Sequence, residues 1–138
     1  MEQVIQKRAT LVLLVSIALG IAWLGKRERF DVPQLETARA KELVDAGALV
    51  IDVRGKEAFD FRHVPGAVSI PLAVLRAAIP PAILDARERD VVVYCNDGIA
   101  TGPEATRLLR EAGFNKAANL RSGIEGWAGA GLPVAKPG

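Results

Sequence analysis

The chain has 138 residues, half of them hydrophobic, and a formal net charge of +2. That length suits one domain of ordinary size plus an appendage, and so small a charge, with no aromatic-interleaved basic patch, argues against nucleic acid as a partner. A single cysteine, Cys95, excludes an internal disulfide and a C-x-x-C redox pair, and no residue spacing suits zinc or another metal.

The first element is a run of 17 residues without charge, "ATLVLLVSIALGIAWLG", from Ala9 to Gly25. It sits at the short end of the roughly 17–25 residues needed to span a bilayer. Lys7 and Arg8 precede it, and Lys26, Arg27 and Arg29 follow. Their long stems reach headgroups and extend the effective span, and Trp23 suits an interface. The run therefore predicts a membrane anchor with a basic flank over residues 1–29, contacting lipid through residues 9–25. A cleaved signal peptide is the alternative, since Gly20-Ile21-Ala22 resembles a small-x-small cleavage site. The basic cluster after the run argues against easy translocation. Lys26, Arg27, Arg29, Arg39 and Lys41 outnumber Lys7 and Arg8, which favours a globular part facing the cytoplasm. A single-pass protein of a bacterial-type inner membrane is expected, with a periplasmic domain as the other orientation.

"KRERFDVPQ" reads as a polar linker, and residues 30–138 as the globular domain. Thr37 is expected to cap a helix through Ala46, with Ala40, Leu43 and Val44 as its apolar stripe and Gly47 as its stop. "ALVIDV" (Ala48–Val53) has strand character, "KEAFDF" is a helical turn, and "GAVSIP" a brief strand. "LAVLRAAI" is a short helix broken by Pro80-Pro81. "DVVVYC" is the most strand-like segment. Ala105, Leu108, Leu109 and Ala112 recur at helical spacing on a helix from Glu104 to Ala112. "KAANL" is a weak strand and "IEGWAGAG" a last short helix. Strands alternating with helices imply an α/β fold, with a mostly parallel central sheet covered on both faces.

Cys95 falls at the carboxyl end of a predicted strand, where open α/β sheets place their ligand sites. The segment "NDGIA" suits a tight loop, in which Gly98 can take a positive φ. Thr101 and Glu104 have the spacing of a capping box, and Pro103 suits a first helical turn. The loop would then end on a helix N-terminus whose amides converge near the sulfur, a setting that favours a thiolate or persulfide anion. A small buried side chain with no chemistry is the other reading of such a cysteine, and capping and periodicity leave the two about even.

Three segments resemble the rhodanese family. "LVIDVRGKEAFDFRHVPGAVSIPL" (Leu49–Leu72) is similar to its D-V-R…E-F…G-H-I-P-G-A…I-P pattern. "VYCNDGIAT" resembles its active-site segment V-Y-C-x-x-G-x-R-S. "EAGFNKAANLRSGIEGWAGAGLPV" resembles its closing stretch G-F…V…L-x-G-G…W…G-L-P-V. Their order and spacing hold from about Leu35 to Val134. The resemblance implies a single rhodanese-like three-layer domain with sulfurtransferase chemistry and no cofactor. Cys95 would attack a small sulfur donor such as thiosulfate, become a persulfide, and pass the outer sulfur to cyanide or a thiol. Backbone amides of Asn96, Asp97, Gly98, Ile99 and Ala100, with Thr101 beside them, would cradle the persulfide.

Asp52 and Arg54 match the D-V-R signature and are expected to brace the site. Asp97 is expected to stabilise the turn. His63 is the only histidine and is expected to be structural, and Trp127 and Phe114 core. Ala100 departs from the family, which often carries a basic residue there. Arg107 is the candidate to compensate. Thiosulfate is then expected to be a poor donor, with a persulfide carrier or a membrane or sulfur-relay protein partner in its place. The position six after Cys95 is Thr101, not the arginine of the C-x5-R phosphatases, so no bidentate phosphate clamp exists. Two rivals follow: a membrane-tethered binding module with vestigial chemistry, and a persulfide relay serving a membrane partner.

Overall fold

The computed structural model of the protein describes residues 31–137 and, before them, residues 3, 6–8, 10, 12 and 14–17. The chain divides into two compact units, Met1–Asp31 and Val32–Gly138. In the first, the described positions up to residue 17 are helical, with Val12, Leu14, Val15 and Ile17 exposed. Most of the predicted span at 9–25 lies outside the described residues, as do Trp23 and the basic cluster after it. Among the described residues no helix is long and apolar enough to cross a membrane.

The second unit runs β1 (Gln34–Leu35), α1 (Thr37–Asp45), β2 (Leu49–Asp52), α2 (Lys56–Phe61), β3 (Val68–Ser69), α3 (Leu72–Ala77), a 3-10 segment (Pro81–Ala86), β4 (Val91–Tyr94), α4 (Thr101–Glu111), β5 (Ala117–Leu120) and α5 (Gly123–Gly129). The strands form one sheet in the order β1-β5-β4-β2-β3, and every pairing is parallel. The register sets Ile51 beside Val93 and Val93 beside Asn119.

A strand covered on both faces needs apolar side chains on both, so it reads as a continuous hydrophobic run. The Val91–Tyr94 strand does, and all four residues are buried. Alternation along it divides the core in two. Val91, Val93 and Cys95 pack with Ile51 and Val53 against Leu72 and Leu75 of α3 and Ala105 and Leu109 of α4. Val92 and Tyr94 pack with Val50 against Ala40 of α1 and Ile124 and Trp127 of α5. The result is the expected three-layer α/β domain. Phe114 and Trp127 are core residues, and the Trp127 indole N–H donates to the Pro133 carbonyl at 2.8 Å.

Two predicted caps are replaced. The first helix begins at Thr37 itself, so Thr37 is inside it rather than capping it, and its hydroxyl bonds that of Ser122 at 2.9 Å. The helix after the cysteine begins at Thr101 with Ala100 at the capping position and no side-chain cap. Glu104 therefore does not close a capping box, and its carboxylate takes a two-pronged contact from Arg76 instead, both bonds at 2.8 Å.

Candidate active site

In a doubly wound sheet, a crevice opens where connections leave neighbouring strands in opposite directions. Here β2 leads outward to β3, while its neighbour β4 leads the other way to β5. The loops after β2 and β4 therefore separate, and a pocket of about 480 Å³ lies between them. Val53, Arg54, Gly55 and Ala58 line one side; Cys95, Asn96, Asp97, Ala100 and Thr101 line the other.

Cys95 is the residue immediately after β4 and is only 4% exposed. The loop that follows turns back over its sulfur. Gly98 donates its amide to the Cys95 Sγ at 3.2 Å. This needs a φ of +78° at Gly98, which costs a side-chain-bearing residue about 1–2 kcal/mol. A Cβ there would also overlap the Arg121 carbonyl. Gly98→Ala is therefore expected to destabilise the domain by roughly 2–5 kcal/mol and to move the donor off the sulfur. A urea midpoint unchanged from that of the unaltered chain would contradict this.

The other wall of the turn is fixed from α5. The Ile124 and Glu125 amides donate to the Cys95 and Asn96 carbonyls at 3.0 and 3.1 Å. Gly123 makes this approach possible, since a Cβ at its φ of +59° would meet the Asn96 backbone. Those carbonyls are thus satisfied by α5, and the α4 N-terminus, at Ala100 and Thr101, lines the pocket and carries the partial positive charge of the helix end.

Of the five amides expected to cradle a persulfide, that of Gly98 points at the sulfur and that of Ile99 is turned elsewhere. The Ile99 amide donates at 3.0 Å to the Asp97 carboxylate in an Asx turn, so it is not available to a sulfur ligand. The Ile99 side chain is 58% exposed and is not among the pocket-lining residues. Asp97 also stands 3.9 Å from the Cys95 sulfur.

Asp52 and Arg54 come together as a brace. Asp52 is fully buried. It accepts the Arg54 backbone amide at 2.9 Å, Nε at 3.1 and 3.2 Å, and Nη2 at 2.8 Å. Arg54 Nη2 also donates to the Arg62 carbonyl at 2.6 Å, and the guanidinium lies 5.7 Å over the Tyr94 ring. Burial alone disfavours the Arg54 charge, but the hydrogen bond and charge of Asp52 hold its pKa above the ordinary value. Burial, then the hydrogen bond and charge of Asp52, push the Tyr94 phenol far above its usual range. The neutral phenol oxygen accepts the Val64 amide at 3.0 Å. The cation on the pocket wall is thus matched by a buried anion behind it.

His63 and Arg107 take no part in the pocket. The His63 ring stacks on Phe59 at 3.9 Å and its Nδ1 is 2.9 Å from the Phe59 carbonyl. Arg107 faces Glu111 on its own helix at 3.9 Å, so it does not supply the charge that Ala100 lacks. Two residues that the sequence reading passed over do belong to the site. Asn119 of β5 donates to the Gly98 carbonyl of the cysteine loop at 3.1 Å, and Gln34 of β1 accepts from Asn119 at 2.7 Å. A lone asparagine in an otherwise apolar strand was the available signal. Among the described residues no cluster of His, Cys, Asp or Glu could hold a metal ion.

A parallel α/β domain thus places one thiol, under a backbone donor, at the crevice of its sheet, where such folds hold their ligand sites. Residues 36–130 match the rhodanese-like domain, and the chain belongs to that family. It is 33% identical over 92 residues to a sulfurtransferase of Allochromatium vinosum, covering 64% of this chain and 79% of that protein. It is 37% identical over 123 residues to an HTH-type transcriptional regulator of Mycobacterium tuberculosis, covering 88% of this chain and 51% of that protein. The chain thus spans about half the length of that regulator. The human single-domain sulfurtransferase has a similar structure, with a TM-score of 0.62 and 28% identity, covering 70% of this chain and 96% of that one.

Proposed function

We propose that the protein is a sulfurtransferase that carries sulfane sulfur on Cys95. The Cys95 thiolate attacks the outer sulfur of a donor. The donor's sulfur–sulfur bond breaks, and a thiolate or sulfite leaves. The resulting persulfide is attacked at its outer sulfur by a thiol or cyanide acceptor, and the cysteine thiolate returns. No oxidant or metal enters this balance. The observation that carries the reading is the Gly98 amide donated to the Cys95 sulfur at the mouth of α4. The names of two relatives support it.

A persulfide is favoured over thiosulfate as donor. The pocket holds Asp97 and an arginine already matched by Asp52, so a dianion finds no uncompensated cation among the lining residues. Incubating the full chain in mild detergent with a low-molecular-weight persulfide, then recording intact mass, tests the function. A cyanide-labile gain of one sulfur atom is expected; no gain in a folded sample would refute it. Ala100→Arg tests the donor class. A guanidinium at the α4 N-terminus is expected to raise kcat/KM for thiosulfate about tenfold, from the attraction of charges across a partly wet site. An unchanged ratio of thiosulfate to persulfide turnover would count against it.

A tethered binding module is the second reading, favoured by Ala100 and by the resemblance to a transcriptional regulator. The uncharged run at 9–25, and the exposed Val12, Leu14, Val15 and Ile17 within it, support attachment to a membrane, with the domain on the cytoplasmic side. A sulfur-relay protein at the same membrane would then be the natural donor or acceptor.

A further inference from the structure

Gly98 is gripped from two directions. Its amide points to the Cys95 sulfur at 3.2 Å, and its carbonyl accepts Asn119 Nδ2 at 3.1 Å. Asn119 is wholly buried. Its Nδ2 also donates to Gln34 Oε1 at 2.7 Å. Both contacts are made by the amide nitrogen, and reversing the amide would set its oxygen against the Gly98 carbonyl oxygen, which can only accept. The orientation is therefore settled by its partners.

The consequence falls on the other atom. Asn119 Oδ1 is buried and, among the described residues, meets no hydrogen-bond donor. It faces the space left by Gly102, where a Cβ would overlap Oδ1 and stand 3.2 Å from the Cys95 sulfur. A buried acceptor without a donor is unfavourable. An apolar side chain would avoid that penalty, so the strand's single polar residue is explained by what its nitrogen holds.

We propose that Asn119 is a positioning residue for the sulfur: it clamps the Gly98 carbonyl so that the Gly98 amide stays aimed at Cys95, and Gln34 in turn orients Asn119. The proposal rests on the sulfur-transfer reading for its effect on rate, though not for the clamp itself. Asn119 touches neither donor nor acceptor. Its loss should lower the rate of sulfur transfer without weakening donor binding.

The test is Asn119→Leu, near in shape and without donors, in the full chain with a low-molecular-weight persulfide. A fall in kcat of about tenfold with KM within about twofold is the expected result. An unchanged kcat in the folded variant would overturn the proposal. A role in folding alone would lower the melting temperature and leave kcat intact well below it. If Asn119→Leu does not fold, Gln34→Leu decides. It removes only the outer partner, and a fall in kcat of about threefold is expected, an unchanged kcat being the contrary result. If the unaltered chain transfers no sulfur, the functional reading fails and the clamp is judged separately. Hydrogen exchange at the Gly98 amide, followed by NMR, should quicken at least about tenfold in the same variants, and equal exchange would overturn the clamp.

Discussion

Cys95→Ser is expected to abolish sulfur loading while leaving the fold intact. Cys95 is the only cysteine in the chain, so no second thiol can take over. Serine oxygen cannot form a persulfide, and the loss should be complete rather than partial. The side chain is buried in the core beside Val53 and Val93, and the substitution changes little volume there. A stability change of about 1 kcal/mol is expected, within the ordinary range for single substitutions. Intact mass after exposure to a persulfide donor, alongside a melting curve, separates the two effects. Mass gain that persists in the folded serine variant would show that sulfur resides elsewhere. Inert unaltered protein, by contrast, would favour the binding-module reading.

The largest effect on stability is expected from Asp52→Ala. The Asp52 carboxylate is 0% exposed and its Arg54 partner 8% exposed. Removing the anion leaves a buried guanidinium without its counter-charge, a change that typically costs about 3–5 kcal/mol. Small domains have only about 5–15 kcal/mol of stability in total, so a large share would be lost. The pocket wall would suffer too, because the same carboxylate holds the Arg54 backbone amide. Urea denaturation measures the loss. Replacing both partners by apolar residues, Asp52→Leu with Arg54→Met, should recover most of it, since a buried pair often does little better than a well-packed apolar one. A double variant no more stable than Asp52→Ala would mean that the carboxylate's bond to the Arg54 amide, rather than the charge pair, dominates.

The strength of a local pattern decided what could be read from the residues. The strand of consecutive valines before Cys95 and the helix Lys56–Phe61 were legible because each carries its signal within a few residues. Strand β1 is not among the elements expected from the sequence, which ends its polar linker at Gln34: two residues cannot show a period, and only the parallel pairing with β5 makes them a strand. The 3-10 segment at Pro81–Ala86 was hidden behind the helix-breaking prolines, the second of which starts it. Capping motifs misled where tertiary bonds competed. Arg76 from another helix holds Glu104, and Ser122 holds Thr37. At the site, Cys95, the tight turn and the Asp52–Arg54 brace could be anticipated. The diversion of the Ile99 amide to Asp97 and the clamp by Asn119 could not, because both depend on the folded path of the backbone.

The sheet order also bears on when the site comes into being. Gln34 and Asn119 are separated by 85 positions in the chain, yet they bond each other, and Asn119 bonds the loop after Cys95. Contacts this distant in sequence form slowly, because the intervening chain must be drawn in before they stabilise anything. During synthesis, Cys95 emerges before Asn119 and before the Ile124 and Glu125 amides that hold the loop's carbonyls. A nascent chain ending at α4 would therefore present the thiol without its finished surroundings. The surroundings of Cys95 are completed by β5 and α5, which leave the ribosome after it, so the loop is finished only when these later elements close on the fold.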